Sequence, residues 1–243
     1  MKLTSPVSAG IDQAVIDHIK SAQDWTQHFP TIRKGNTGVG MTFEHQCRIP
    51  ENNLAGADLR DAELKAKRVD SDSLLTLMTK NPPRAVRRLT NEFGTDTFDE
   101  DGKLYRRRLY HTLRNGRSDL FELADTDDGL DLISLNTGGV VASWTSALLS
   151  KGLGKLTNLC LIDAHTRLVE GEEHFQYSGF TYYHGFNQQA FIDMLLAGEA
   201  FIDFRAHYCH VKKKQRDHGT AFRIDPSKLS SLYAGSLRVE LGA

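Results

Sequence analysis

Apolar residues recur along the chain in two rhythms, and the switches between them mark its elements. Ile11, Val15, Ile16, Ile19, Ala22 and Trp25 repeat at helical spacing and predict an amphipathic helix over residues 11–28. A glycine-rich loop over 33–40 leads into a helix predicted for 41–48. Residues 57–68 and 73–79 read as two adjacent strands, the first with alternating character. Pro82 and Pro83 open a helix running to about Phe93, since proline's missing N–H costs little in a first turn. The polar stretch 94–103 reads as a turn region.

Strand patterns dominate beyond it, at 104–113, 120–123, 130–135 and 140–144, followed by a helical turn at 145–151 and an apolar, central strand at 156–163. Aromatic alternation marks a strand at 173–183, and a helix at 187–197 ends at Gly198. A strand at 200–208, a loop at 212–218, a strand at 220–224, a helix at 226–233 and a closing strand at 237–241 complete the chain. Strands and helices mix without a regular βα rhythm. This predicts a mixed α+β fold, a mixed sheet flanked by helices, rather than a doubly wound α/β sheet.

Composition narrows the class. With 243 residues, 40% of them hydrophobic, the chain can bury a substantial core, as one domain or two joined lobes. Its apolar stretches, such as 138–144 and 156–163, fall far short of a membrane span of roughly 20 residues. Residues 1–10 carry one lysine and no apolar core segment, so no secretory leader is expected. Cys47, Cys160 and Cys209 are odd in number and far apart, without metal or disulfide spacing, which suits a reducing cytoplasm. Net charge is −1, yet basic residues gather at 84–88, 103–117 and 205–216 while acidic ones crowd into 96–101 and 122–131. Local basic surface, not the total, neutralises phosphates. Each cluster also reads simply as a solvated face.

The chemistry concentrates in residues 56–65. Glu63 and Lys65 lie two apart on a predicted strand and share a face, with Leu64 turned toward a core. Asp58 is near enough for a short turn to bring it beside Glu63. Asp61 shares the parity of Glu63 and Lys65 and competes with Asp58 as the second carboxylate. Two carboxylates and a lysine suit metal-assisted phosphodiester hydrolysis, because hard carboxylate oxygens hold Mg²⁺ and the metal activates water. Taken alone, the same pattern describes an exposed strand with a cross-face ion pair. For the site to work, neither carboxylate should be packed away from solvent.

A second constellation lies near the C-terminus. Asp203, Arg205 and His207 alternate with Ile202, Phe204 and Ala206, the run Lys212, Lys213 and Lys214 follows, and Arg223 lies on the next strand. Arginine and aspartate can read guanine and cytosine edges, with lysines on phosphates. An exposed strand with internal salt bridges explains the pattern equally well. His218 next to Asp217 could form a general-base pair. No serine or cysteine stands in a nucleophile elbow, no zinc spacing occurs among the histidines, and the loop at 35–40 lacks a P-loop ending.

Four blocks carry a resemblance. Arg33-Lys-Gly-Asn-Thr-Gly-Val-Gly-Met-Thr-Phe-Glu44, the Asp58…Glu63-Leu-Lys65 segment, residues 73–80 and Asp217-His-Gly-Thr-Ala-Phe-Arg-Ile224 resemble, in order and spacing, the MvaI/BcnI-type restriction endonucleases, the MvaI type more closely. The likeness spans roughly residues 30–235. This family is related to the MutH nickase within the PD-(D/E)xK nuclease superfamily. The resemblance implies a monomer with two lobes around a DNA cleft, a catalytic lobe near 1–165 and a recognition lobe near 166–243. It implies Mg²⁺, with Mn²⁺ as a substitute, held by Asp58, Glu63 and the Leu64 carbonyl, with Lys65 as the catalytic lysine and Glu44 supporting the centre. It favours Asp58 over Asp61. Asp203, Arg205 and Arg223 match positions that read G·C pairs, and His218 one close to the central base pair. The implied site is CC-N-GG with an A/T centre favoured, cut by sequential nicking to 5′-phosphate and 3′-hydroxyl ends, with a cognate DNA methyltransferase encoded separately. Residues 104–170 match poorly, and Thr79 stands where the BcnI type has histidine, which leaves the central base open. A MutH-like nickase working with partners and a non-catalytic DNA-binding module are the rival readings; partner-independent cutting of both strands, and metal-dependent cleavage at all, separate them.

Overall fold

The computed structural model of the chain describes residues 10–50 and 56–242. The stretch 1–10, read as lacking a secretory leader, lies outside them except for Gly10. In chain order the elements are α1 (Gln13–Ala22), β1 (Phe29–Pro30), α2 (Gly38–Gln46), β2 (Ala62–Arg68), β3 (Leu75–Thr79), α3 (Val86–Phe93), β4 (Thr95–Phe98), β5 (Leu104–Leu113), β6 (Phe121–Thr126), β7 (Gly129–Ser134) and β8 (Val140–Thr145). There follow α4 (Ser146–Leu153), β9 (Asn158–Val169), β10 (Glu172–Phe186), α5 (Gln188–Leu196), β11 (Ala200–Cys209), β12 (Lys214–Asp217), β13 (Ala221–Ile224) and β14 (Tyr233–Glu240), with 3₁₀ turns at Gly154–Leu156 and Pro226–Leu232. No helix among the described residues is long and apolar enough to cross a membrane.

The chain forms two compact units, interleaved in sequence. One comprises, of the described residues, those up to Ser73, Gly154–Asn187 and those from Ser227 on; the other comprises Leu74–Leu153 and Gln188–Pro226. The lobe boundary expected near residue 165 lies inside β9 (Asn158–Val169), which belongs wholly to the first unit. Strand pairing, not chain order, decides which segments share a core.

In the first unit, β1, β10, β9 and β2 form a sheet in that order, with β14 also on β10. Only β2 and β9 run parallel; the other pairs are antiparallel, so this is a mixed sheet. Its alternation is visible in β2: Ala62 and Leu64 enter the apolar core with Cys160, Ile162 and Ala164 of β9. The helices α1 and α2 close that core through Val15, Ile16, Ile19, Val39 and Phe43. The Asp12 side chain caps α1 by accepting from the Ala14 N–H at 2.9 Å. The predicted helix over 11–28 stops early, because Gln23 turns extended; Trp25 is still buried, its indole N–H on the Ile19 carbonyl at 2.8 Å. Part of the glycine-rich loop, from Gly38, is already helical.

In the second unit, β3, β13, β11, β5 and β4 form an antiparallel sheet with β12 added on β11, and β6, β7 and β8 form a separate three-stranded sheet. Its core holds Trp144, Phe121, Phe204 and Phe222; the Trp144 ring lies 5.6 Å from Phe222, and Phe121 lies 5.6 Å from Phe204. The strands β2 and β3, read as adjacent, belong to different sheets. Strands β4 and β12 replace the turn and loop expected at 94–103 and 212–218, and the helix expected at 226–233 is a 3₁₀ turn that Tyr233 leaves for β14. Gly198 ends α5 as expected, at a left-handed φ of 68°.

Candidate active site and DNA-facing surface

Glu63 and Lys65 share the face of β2 opposite the core. Ahead of them the chain makes a tight turn: Leu59 and Ala62 exchange both backbone bonds, at 3.0 and 2.9 Å, with Arg60 at a left-handed φ of 55°. A side chain with a Cβ resists that conformation, and such residues gather at functional sites. The turn carries Asp58 back alongside β2, where its Oδ2 accepts from the Leu64 N–H at 2.9 Å. Burial first, and the Glu63 charge second, push the Asp58 carboxyl above its ordinary value. Asp61 faces outward instead and accepts from the Asn158 amide at 2.8 Å. Glu44 lies on α2, which packs on β2.

Glu63 is 2% exposed, which corrects the expectation that neither carboxylate is packed away from solvent. Its surroundings are charged rather than apolar. Glu63 Oε1 accepts from Lys65 Nζ at 3.0 Å and from Lys155 Nζ at 2.5 Å. Glu63 Oε2 is buried without a hydrogen-bond partner. Lys155 arrives from the 3₁₀ turn before β9, and no sequence pattern singled it out. The available signal was that it immediately precedes an apolar strand that turns out to run parallel to β2.

In the second unit, Asp203, Arg205 and His207 project from one face of β11, and Arg223 of β13 joins them. Asp203, 6% exposed, takes Arg223 Nη1 on Oδ2 at 2.5 Å, while Arg223 Nη2 donates to the Leu74 carbonyl at 2.7 Å. Both members of the proposed G·C-reading pair are thus already joined to each other, as the salt-bridged-strand reading had it. Asp203 Oδ1, Arg223 Nε and Arg205 Nε are buried here without hydrogen-bond partners. A pocket of about 400 Å³ opens here, lined by Tyr110, His111, Thr112, Asp203, Phe204, Arg205 and His218. Lys212, Lys213 and Lys214 are exposed at the β11–β12 turn. Asp217 and His218 do not form the expected dyad. The Asp217 oxygens accept from Asn81 and from the Gly219 N–H, each at 2.7 Å, and the His218 ring instead lies 6.5 Å from that of His207.

Residues 16–233 match the MvaI/BcnI restriction endonuclease family. The chain belongs to this family. As a member of the MvaI/BcnI family it is a type II site-specific DNA endonuclease. Solved structures resemble it. A complex of restriction endonuclease MvaI with its cognate DNA substrate is 27% identical, with a TM-score of 0.77, covering 93% of this chain and 97% of that one. MvaI in the absence of DNA is 26% identical, with a TM-score of 0.53 and coverage of 92% and 97%. Among curated proteins nothing matches.

Restriction endonucleases of the MvaI/BcnI kind typically use a divalent metal, and the residues around Glu63 fit one. Among the described residues no three His, Cys, Asp or Glu side chains cluster as ligands. Magnesium needs no such cage, since it keeps several waters and takes one or two carboxylates. An unpartnered buried carboxylate oxygen beside a second carboxyl with a raised pKa is the arrangement that a cation would relieve.

Proposed function

We propose that this restriction endonuclease hydrolyses duplex DNA at the Asp58–Glu63–Lys65 centre, a PD-(D/E)xK arrangement, and reads a CC-N-GG site, A/T-centred, with Asp203, Arg205, Arg223 and His218. The observation that carries the reading is Glu63: one oxygen is shared by two ammonium groups, the other is buried and unpartnered, and Asp58 is held close by.

Asp58, Glu63 and the Leu64 carbonyl would hold Mg²⁺, or Mn²⁺ in its place, which supplies Lewis-acid polarisation of a phosphoryl oxygen and lowers the pKa of water. Lys65 orients the attacking water and offsets negative charge building on the phosphate oxygens. Lys155 fixes the Glu63 rotamer from the other side. The Leu64 N–H fixes Asp58, so both carboxylates are pre-positioned rather than ordered by the substrate. Glu44 supports the centre from α2. Asp203 and Arg223 hold each other until base edges replace that pairing, and Asp217, His218 and Lys212–Lys214 line the same recognition surface. The enzyme acts as a monomer in the cytoplasm, nicking the strands in turn, beside a separately encoded methyltransferase.

The test is direct. Purified protein with Mg²⁺ should fragment phage DNA to ends that sequence to one short motif. Asp58→Ala and Lys65→Ala should each abolish cutting while duplex binding persists; cutting by both variants refutes the assignment.

A further inference from the structure

Strand β5 carries a cationic face that no part of the proposed site uses. Its alternation is sharp: Leu109 and Leu113 are buried, while Arg108, Tyr110 and Thr112 are exposed on the other side. The register places these residues in rows across three strands. Arg108 pairs with His207, which pairs with Arg216; Arg106 pairs with Cys209, which pairs with Lys214. Residues opposite each other across antiparallel strands point to the same side, and like charges there repel. The two rows border a pocket of about 310 Å³ lined by Arg106, His207, Cys209, Lys212, Lys214 and Arg216.

The arginine between them shows what an ordinary structural role looks like. Arg107 points to the other face and pairs with Asp96 at 2.8 Å. Arg106 meets the Tyr105 ring, 4.5 Å away, its hydroxyl and the Cys209 thiol, with Nε left unpartnered, and Arg108 lies 5.9 Å over the Tyr110 ring. Neither they nor Arg216 has an acidic partner among the described residues. The positive field is felt locally: burial first, then Arg106, His218, Arg216 and Arg108, hold the His207 imidazole below its ordinary pKa. A chain with net charge −1 has acidic groups to spare, yet leaves this face uncompensated.

We propose that Arg106 and Arg108 of β5, with Arg216 of β12, form a phosphate-gripping row that engages the backbone of duplex DNA beside the base-reading residues. The inference rests on the DNA-cleaving reading above and adds contacts from a strand it does not use. Because the row meets phosphates, it sets affinity and salt dependence but not site preference.

Binding of labelled duplex is measured without divalent cation, with and without a CC-N-GG site, across a series of salt concentrations. Arg106→Gln/Arg108→Gln should weaken both duplexes by the same factor and lower the slope of log K against log salt by about 1.8, roughly 0.9 per lost phosphate contact. Arg106→Lys/Arg108→Lys should restore the slope, and Arg107→Gln, which removes one charge from the paired face, should leave it unchanged. An unaltered slope in the double glutamine variant, or an equal fall in Arg107→Gln, overturns the proposal. A wild-type protein that binds no duplex overturns the parent reading instead.

Discussion

At Glu63 a carboxylate sits where water barely reaches it, and two ammonium groups converge on one of its oxygens. Removing one of them leaves the other to hold a buried charge. Lys155→Gln should therefore cost about 1.5–3 kcal/mol of stability in urea unfolding without metal, the range for hydrogen bonds to charged groups. It should also slow cleavage at least tenfold, with Lys155→Arg recovering part of both. Unchanged unfolding would show that the Lys155 contact contributes nothing. Asp58 carries the opposite signature. Its carboxyl holds a proton more tightly folded than unfolded, so stability without metal falls as pH rises from the ordinary carboxylate value of 3.8 through the raised one, and stays reduced above it. Asp58→Asn keeps an acceptor for the Leu64 N–H and removes that charge. The variant should melt higher than wild type at neutral pH in chelator and lack the acid-to-neutral decline; equal melting curves would refute this. Glu63, Lys65 and Asp58 were legible as a local pattern, because a two-residue strand parity and a short turn are encoded nearby. Lys155 was not, because it lies 92 residues from Glu63 in the chain.

At the scale of elements, the sheet proposed to read DNA depends on β13 lying against both β11 and β3. Arg223 ties these strands together through Asp203 and the Leu74 carbonyl. Arg223→Ala should lose about 1–3 kcal/mol of discrimination between matched and mismatched duplex, the value of one bidentate base contact. A loss confined to thermal stability would mean that Arg223 is a strand tie and no base reader. Gly219 sets the entry to β13: its φ is 82°, and a Cβ there would meet the Thr79 methyl at 2.2 Å. Gly219→Ala should destabilise the fold by about 1–2 kcal/mol through the left-handed φ alone, and more from the clash. The strands β5 and β11 were legible because one face of each packs on the core. Strands β4 and β12 were not: both lie at sheet margins, and residues there need not alternate between core and water.

At the scale of the whole molecule, the units interleave, so no cut near the expected boundary respects them. A fragment of residues 1–165 ends inside β9 and lacks β10 and β11, each of which pairs with three other strands. It should show no cooperative thermal unfolding by circular dichroism; a sharp transition would indicate that a sequence-continuous lobe folds alone. The sequence by itself determined the local matters: strand parity at Glu63 and Lys65, the polar face of β11, the helix stop at Gly198, and family motifs dense enough to identify the enzyme class. These rest on interactions within a few residues, which spacing records. Tertiary structure alone decided which strands pair, that β2 and β3 part into different sheets, that Lys155 comes to Glu63, and that Asp217 bonds Asn81 rather than His218. Those outcomes depend on which distant segments bury apolar surface together, and a one-dimensional pattern does not name its partners.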